Sequence, residues 1–227
     1  MTIDRPRRDL WTPFAGFGFV VLFVLAVFLV SEPDTGSSDA AAVSYFADHG
    51  HRLQQIVATY VMMFAGAFFL WFIGGLRARL ALRSDPGARV ARIAYGGGVV
   101  SVAMLWASAL ALGAVALAKG FGGKAVLSTG DVPRFFAQFG YGLLTIGAMF
   151  GAIVLIDATS VAILRTQLLP RWLAWLGFVC ALVLLLAPVF IPMLALLVWI
   201  VATSYALWRY PAVEAEPAIA AAAPAET

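Results

Sequence analysis

The sequence is organised as a series of apolar blocks separated by short charged segments, and most of the blocks are long enough to cross a lipid bilayer. A helix needs about 20 apolar residues to span a hydrocarbon core of ~30 Å. Because 63% of the residues are hydrophobic and only 12% are charged, the polar faces that soluble helices need are missing. We therefore expect an all-α polytopic transmembrane bundle. Its six predicted helices are at about 14–30, 56–76, 93–118, 137–160, 172–187 and 193–208.

The first block is interpreted as an uncleaved membrane anchor. It follows Arg5, Arg7 and Arg8, and a basic start before an apolar stretch is also typical of a signal peptide. However, the stretch is long for the apolar region of a signal peptide, and the following SEPDTGSSDAAA offers no convincing cleavage site directly after it. An anchor is the better interpretation, with residues 1–13 as a short cytoplasmic N-terminal segment.

The last two blocks form a predicted helical hairpin rather than one continuous helix. A single helix from Trp172 to Trp208 would be about 55 Å long, nearly twice the thickness of the hydrocarbon core. Pro188 and Pro192 also interrupt the backbone hydrogen bonds at its centre. Aromatic residues toward the shared ends of this pair are typical of a membrane-interface belt. These residues are Trp172, Trp175, Trp199, Tyr205, Trp208 and Tyr210.

The distribution of basic residues predicts that both termini lie in the cytoplasm. With six spans, eleven of the 15 Lys and Arg residues fall on the side of the termini and four on the other. The positive-inside rule places the richer side in the cytoplasm of a bacterial cell. We expect residues 209–227, rich in Ala, Pro and Glu, to form a disordered cytoplasmic tail. Because the basic residues belong to the loops, we predict no nucleic-acid binding despite the net charge of +3.

Asp157 is a carboxylate within the apolar run AIVLIDATSVAIL of the fourth block. A charge at the bilayer centre costs about 2.5–3.5 kcal/mol on insertion scales, and much less at the interface. The favoured interpretation is an ion pair at the inner interface with Arg77, Arg79 or Arg92, which would fix helix register. The alternative is a proton- or ion-binding carboxylate, because acids within membrane spans often have that role.

A second candidate is the stretch YFADHGHRLQQ just before the second block. Asp48, His49 and His51 are residue types that bind divalent metals, but the two histidines do not share a helix face. Asp48 and Arg52 are spaced i, i+4 and can pair on a helix that lies on the membrane surface. That interfacial helix is the favoured interpretation, and we predict no metal or other cofactor.

Small residues recur at helical spacing in two blocks. Gly147 and Gly151 form a G-x-x-x-G pattern, and Ala103, Ala107 and Ala111 repeat every four residues. Such positions let helix backbones approach closely. Packing within one chain is the default interpretation, and homo-oligomerisation through either set is the alternative.

Parts of the sequence resemble a known family. The segments are FLWFIGGLRARLALR, AYGGGVVSVAMLWASA and DATSVAILRTQLLPRWLAWLGFVCALVLLLAPVF. Together they resemble small integral membrane proteins of high-GC Gram-positive bacteria that are catalogued as a domain of unknown function. The resemblance covers the chain from about Tyr45 to Trp208, and LLPRWLAWLGF is its most specific part. It implies fold and localisation but no activity.

Function is weakly constrained by the sequence. Neither an H-E-x-x-H nor a G-x-S-x-G motif is present, so we do not expect an enzyme. We predict a non-enzymatic structural or accessory membrane component in contact with membrane lipids. One alternative is a small oligomeric transporter or channel that uses Asp157. The other is a lipid-acting enzyme that uses Asp48, His49 or His51.

Overall fold

The elements of the described chain are helical, as the sequence predicts. The computed structural model describes residues 11–30, 44–45, 47–81, 85–121 and 131–210. The α-helices are α1 (Trp11–Leu29), α2 (His49–Ala81), α3 (Asp85–Gly120), α4 (Asp131–Gly142), α5 (Met149–Thr166), α6 (Arg171–Leu184) and α7 (Leu194–Arg209). A π-helical turn, Leu143–Ala148, joins α4 to α5 without a break. Most of the predicted N-terminal segment, 1–13, and most of the predicted tail, 209–227, lie outside the described residues.

Five of these helical segments are long and apolar enough to cross a membrane. They are Trp11–Leu29, His49–Ala81, Arg89–Gly120, Asp131–Thr166 and Ile191–Arg209. The remaining helix, Arg171–Leu184, is apolar but shorter. The prediction of an all-α bundle with membrane-spanning helices is therefore confirmed at this level.

The helices form a closed ring. Each one packs beside the next along the chain, with α4, the π turn and α5 acting as one column, and α7 returns to pack on α1. The column made by α4 and α5 contacts α3 along its length. Apolar side chains from every column form one continuous core inside the ring.

The second helix begins earlier than predicted, and this corrects the interpretation of its first turns. Residues 49–55 do not form a separate interfacial helix, because they are the first turns of α2. Gln55 is buried and its Nε2 donates a hydrogen bond of 3.1 Å to the carbonyl of Leu112 on α3. Thr59 donates in turn to the carbonyl of Gln55 at 2.9 Å. The bond from Gln55 ties the second turn of α2 to α3, whereas His49 and His51 in the first turn are exposed.

Helices α3 and α5 approach most closely at two glycines. A Cβ on Gly151 would lie 2.5 Å from the backbone nitrogen of Ser101 and 2.8 Å from the carbonyl oxygen of Gly97. A Cβ on Gly97 would lie 2.8 Å from the backbone nitrogen of Leu155. Ser101 fixes the same contact, because its hydroxyl donates to the carbonyl of Ala148 at 2.8 Å. The G-x-x-x-G pattern therefore serves packing within the chain.

The other small-residue positions divide between the two faces of α3. Ala111 is buried, Ala107 is half-buried and Ala103 is exposed on the outer face. Gly147 faces Met104, whose Cγ would be 3.1 Å from an added Cβ. Homo-oligomerisation through Gly147 and Gly151 or through the alanines stays a prediction.

The hairpin interpretation of the last two blocks is confirmed. Helices α6 and α7 are separate and pack against each other, and two 3₁₀ turns, Ala187–Val189 and Ile191–Met193, lie between them. Pro188 and Pro192 are within these turns, where a missing backbone N–H costs little. Phe190 between them has φ of 73°, which reverses the chain.

A column of aromatic rings fills the interior of the ring of helices. Phe19 stacks on Phe69 with centroids 4.5 Å apart and is 5.5 Å from Phe23. Phe72 continues the column beyond Phe69 and meets Trp199 edge-on at 6.3 Å. Trp199 has 0% exposure, so its assignment to an interfacial belt is wrong. Its indole is part of the core.

Candidate functional site

Two Ala-Thr-Ser tripeptides place hydroxyl groups at similar depths in the bundle. They are Ala158–Ser160 on α5 and Ala202–Ser204 on α7, which run in the same direction on either side of α6. Ser160 lies six residues before the end of α5, and Ser204 five before the end of α7. These separations correspond to about 9 and 7.5 Å along the helices.

Five buried side-chain atoms in this region have no hydrogen-bond partner in the described chain. They are Oγ1 of Thr159, Oγ of Ser160, Nε1 of Trp199, Oγ1 of Thr203 and Oγ of Ser204. All five residues are fully buried. We call them the polar cluster. Because an unsatisfied buried polar atom costs about 1–3 kcal/mol, each of these five atoms needs an explanation.

Two glycines, at two different helix contacts, lie beside three members of the polar cluster. A Cβ on Gly177 of α6 would collide with Oγ of Ser160 and lie 3.2 Å from Nε1 of Trp199. A Cβ on Gly16 of α1 would collide with Oγ of Ser204. The absence of side chains at both positions leaves the polar atoms room beside the helix backbones.

Five other hydroxyl groups of the bundle make hydrogen bonds, which sets the polar cluster apart from them. Thr59, Thr145 and Thr166 each donate to the carbonyl four residues earlier in the same helix. Ser101 and Ser108 donate to carbonyls of the neighbouring column. Hydroxyls within apolar helices usually find such acceptors. Those of the polar cluster face inward without one.

The chemistry of the polar cluster fits an uncharged polar molecule. The indole N–H of Trp199 can only donate, whereas the four hydroxyls can donate or accept. No charged side chain belongs to the cluster. A charged ligand would lose its hydration without gaining a counter-charge, which is costly in a buried site. A small neutral molecule with an oxygen acceptor would satisfy the donors.

Asp157 faces away from this interior. It lies on the outer stripe of α5 with Phe150 and Val154, both of which are exposed, and is itself half-buried. Within the described residues it makes neither a hydrogen bond nor an ion pair. The carboxylate is therefore not a member of the polar cluster.

The three arginines predicted to pair with Asp157 are not paired with it in the described chain. The guanidinium of Arg77 lies over the ring of Tyr95, 4.8 Å from its centroid. Arg79 donates to the backbone carbonyl of Tyr210, and Arg92 is exposed near the start of α3. Both arginines of α2 have partners other than Asp157, so the predicted register-fixing ion pair is not formed among these residues.

Asp157 lies close to the level of Gly177 on the neighbouring helix, because Gly177 of α6 contacts Ile156 and Ser160 of α5. Trp175, two residues before Gly177, is 64% exposed on the outside of the bundle.

Asp48 caps the start of α2. Its Oδ1 accepts a hydrogen bond of 3.0 Å from the backbone N–H of His51, which lowers the pKa of Asp48 below its usual value. The ring of His51 stacks on Tyr45 with centroids 4.1 Å apart. Arg52 lies 3.2 Å from Nδ1 of His49 and donates to the carbonyl of Ala47. This is the geometry of a helix N-cap.

The D-H-x-H stretch does not assemble a metal centre in the part of the chain that is described. No group of three or more His, Cys, Asp or Glu side chains there could hold a metal ion. Asp48 and His51 are 3.6 Å apart between Oδ1 and Nδ1, and both are well exposed. The structure uses the carboxylate for capping.

We predict that Asp48→Ala frays the first turn of α2, whereas Asp48→Asn largely preserves it, because an amide oxygen can also cap. The measurement is the hydrogen-exchange rate of the His51 amide, which should rise in the alanine variant. The folded pKa of Asp48 lies below its unfolded value, so the capping contribution is present at neutral pH. It is lost as the pH falls through the folded pKa. Equal exchange in both variants would contradict the capping role.

The polar cluster was missed by sequence reasoning. The signal that could have found it is the repeated Ala-Thr-Ser tripeptide in the fourth and sixth blocks, together with Gly177 between them. Hydroxyl-bearing residues are common in membrane helices, so the repeat alone does not show which face they occupy. Compared with protein-family models, with curated proteins and with solved structures, the chain matches none.

Proposed function

We propose that the chain is a six-span protein of the bacterial cytoplasmic membrane that transports a small uncharged polar solute. Helix α6 would be the fifth of the six spans in chain order and would complete their number, because it lies between α5 and α7 in the ring. Its fourteen residues and the following 3₁₀ turn make it shorter than its neighbours. With six spans both termini lie on the same side, and the excess of arginine favours the cytoplasm.

The observation that carries the proposal is the set of unpartnered polar atoms at Thr159, Ser160, Trp199, Thr203 and Ser204. Binding sites within helical bundles are built from side chains of facing helices. A solute bound here would contact α5 and α7 on either side of Gly177. Its binding free energy would come from satisfying donors and acceptors that the fold leaves unsatisfied.

The arrangement of the interior supports access from the end of the bundle that contains the termini. The aromatic column runs from Phe23 through Phe19 and Phe69 to Phe72, which meets Trp199 of the polar cluster edge-on. The four hydroxyl-bearing residues of the polar cluster lie about 7.5–10.5 Å along the helices from the last residues of α5 and α7, and Trp199 lies about 15 Å from the end of α7. Opening toward the far side would require the rings of Phe69 and Phe72 to move.

The proposal predicts solute flux that depends on the indole N–H of Trp199. Purified protein in proteoliposomes should speed the re-swelling seen by stopped-flow light scattering with glycerol or urea as the probe. Trp199→Phe keeps an aromatic ring and removes the donor, so we expect about tenfold slower protein-dependent flux. Flux no faster than in protein-free vesicles for both probes would contradict the proposal.

Two control variants separate this site from the rest of the bundle. Trp106→Phe removes an indole N–H that donates to the carbonyl of Met63 at 3.0 Å, far from the polar cluster, and should leave the flux unchanged. Asp157→Asn should also leave it unchanged, because Asp157 faces outward. Loss of flux in the Asp157 variant alone would instead favour the carboxylate as the transport residue.

A further inference from the structure

An open groove lies between the start of α1 and the end of α7, and none of the polar cluster residues lines it. Its volume is about 290 Å³. Its walls are almost entirely apolar and mostly aromatic. The lining residues are Pro13, Phe14, Phe17, Tyr205 and Trp208. Phe14 is 60% exposed and Trp208 is 59% exposed, so the groove opens on the outer surface of the bundle.

Positive charge is concentrated at one end of this groove. Arg209 follows Trp208 and is spaced i, i+4 from Tyr205, so both residues lie on the same side of α7. The guanidinium of Arg209 has no hydrogen bond or ion pair within the described residues and is exposed. Arg79 reaches the backbone carbonyl of Tyr210, which brings a second guanidinium near. The lining of the groove is therefore apolar, and an exposed arginine directly follows its lining residue Trp208 on α7.

We infer that this groove binds an anionic glycerophospholipid, with an acyl chain along Phe14, Phe17 and Trp208 and the phosphate at Arg209. Guanidinium groups bind phosphate oxygens through paired hydrogen bonds. Tyr205 adds a hydroxyl at the boundary between the apolar wall and the charged end, where aromatic side chains with a polar tip are favoured. An anionic phospholipid matches this arrangement, because its apolar acyl chain is followed by a negatively charged headgroup.

A second copy of the chain fits this surface less well. A symmetric dimer through α1 and α7 would use the same patch on both copies. It would bring Arg209 of each copy toward the other, and like charges that face each other across an interface are unfavourable. The charge of Arg209 therefore favours an anionic partner.

The test is native mass spectrometry of the full-length protein titrated with phosphatidylglycerol or phosphatidylcholine. We expect phosphatidylglycerol to bind more tightly to the wild type. Arg209→Gln should weaken its binding about five-fold, because one basic residue near a membrane surface contributes about that factor. Phosphatidylcholine binding should change little in this variant. Trp208→Ala should weaken the binding of both lipids.

Arg165→Gln is the matched control, because Arg165 is an exposed arginine of the last turn of α5 and does not line the groove. It should leave phosphatidylglycerol binding unchanged. Equal losses in the Arg165 and Arg209 variants, or equal binding of the two lipids by the wild type, would overturn the inference. So would a lipid-independent dimer peak that Trp208→Ala removes, since a second copy would then occupy the groove. The solute flux of the wild type is a separate readout, so either proposal can fail alone.

Discussion

Gly97→Ala is expected to destabilise the protein, whereas Gly96→Ala at the adjacent position is expected to be neutral or stabilising. An added Cβ at Gly97 would lie 2.8 Å from the backbone nitrogen of Leu155 and 2.9 Å from the carbonyl oxygen of Gly151. Backbone atoms of a packed helix cannot move aside as a flexible side chain can. Helices α3 and α5 would have to separate, and such overpacking costs about 1–3 kcal/mol.

Gly96 provides the matched control because it shares the helix and the sequence context of Gly97. Among the described residues, and apart from its chain neighbours and its own helix backbone, no atom lies within 4 Å of the position that its Cβ would occupy. Alanine has a higher intrinsic helix propensity than glycine, by up to about 1 kcal/mol. The measurement is the free energy of reversible unfolding in mixed micelles of a mild detergent and dodecyl sulfate. Equal stabilities of the two variants would show that α3 and α5 do not meet at Gly97 and Gly151.

The sequence was sufficient to predict the helices and part of their packing. Long apolar blocks leave few alternatives to membrane-spanning helices, because every backbone polar group must be paired within the segment. The close approach at Gly151 was also predictable, since a glycine four residues after Gly147 presents a smooth surface to a neighbour. Which neighbour occupies that surface depends on the ring arrangement, and the sequence pattern does not contain that information.

The features that sequence reasoning missed depend on which face of a helix is turned inward. Tryptophan is a residue type that is common at membrane interfaces, yet Trp199 lies on the inward face of α7 and packs in the core beside Phe72. In a membrane protein both the inner and outer faces are apolar, so hydrophobic periodicity is weak and cannot assign them. Gln55 was missed for the same reason, because a polar residue near a block end is assumed to face water. Its bond to Leu112 comes from tertiary contact alone.

The double substitution Thr159→Val and Thr203→Val is expected to raise stability and to abolish binding of the solute. Valine has nearly the shape of threonine, so it removes each hydroxyl without leaving a cavity. Both hydroxyls are buried without a partner, and replacing such a group by an apolar one of the same shape is neutral or stabilising. We expect a gain of about 1–3 kcal/mol for the pair in the absence of solute.

Thr59→Val is the control for this substitution. The hydroxyl of Thr59 is buried as well, but it donates to the carbonyl of Gln55 at 2.9 Å. Removal of the Thr59 hydroxyl breaks an existing hydrogen bond and should therefore not stabilise the protein. Thermal unfolding of the three proteins, with and without glycerol or urea at matched low concentration, separates the cases. Any solute-dependent shift should be present in the wild type and the Thr59 variant and absent in the double variant.

The sign of the stability change decides what the polar cluster is for. If the hydroxyls of Thr159 and Thr203 serve folding alone, their removal must destabilise the protein, as removal of any satisfied buried hydroxyl does. If these hydroxyls bind a ligand, their removal should raise the stability of the protein and abolish solute transport. Such a trade-off between stability and activity is common at binding sites. A destabilised double variant that keeps the flux of the wild type would therefore end the transport proposal and leave the cluster a structural role.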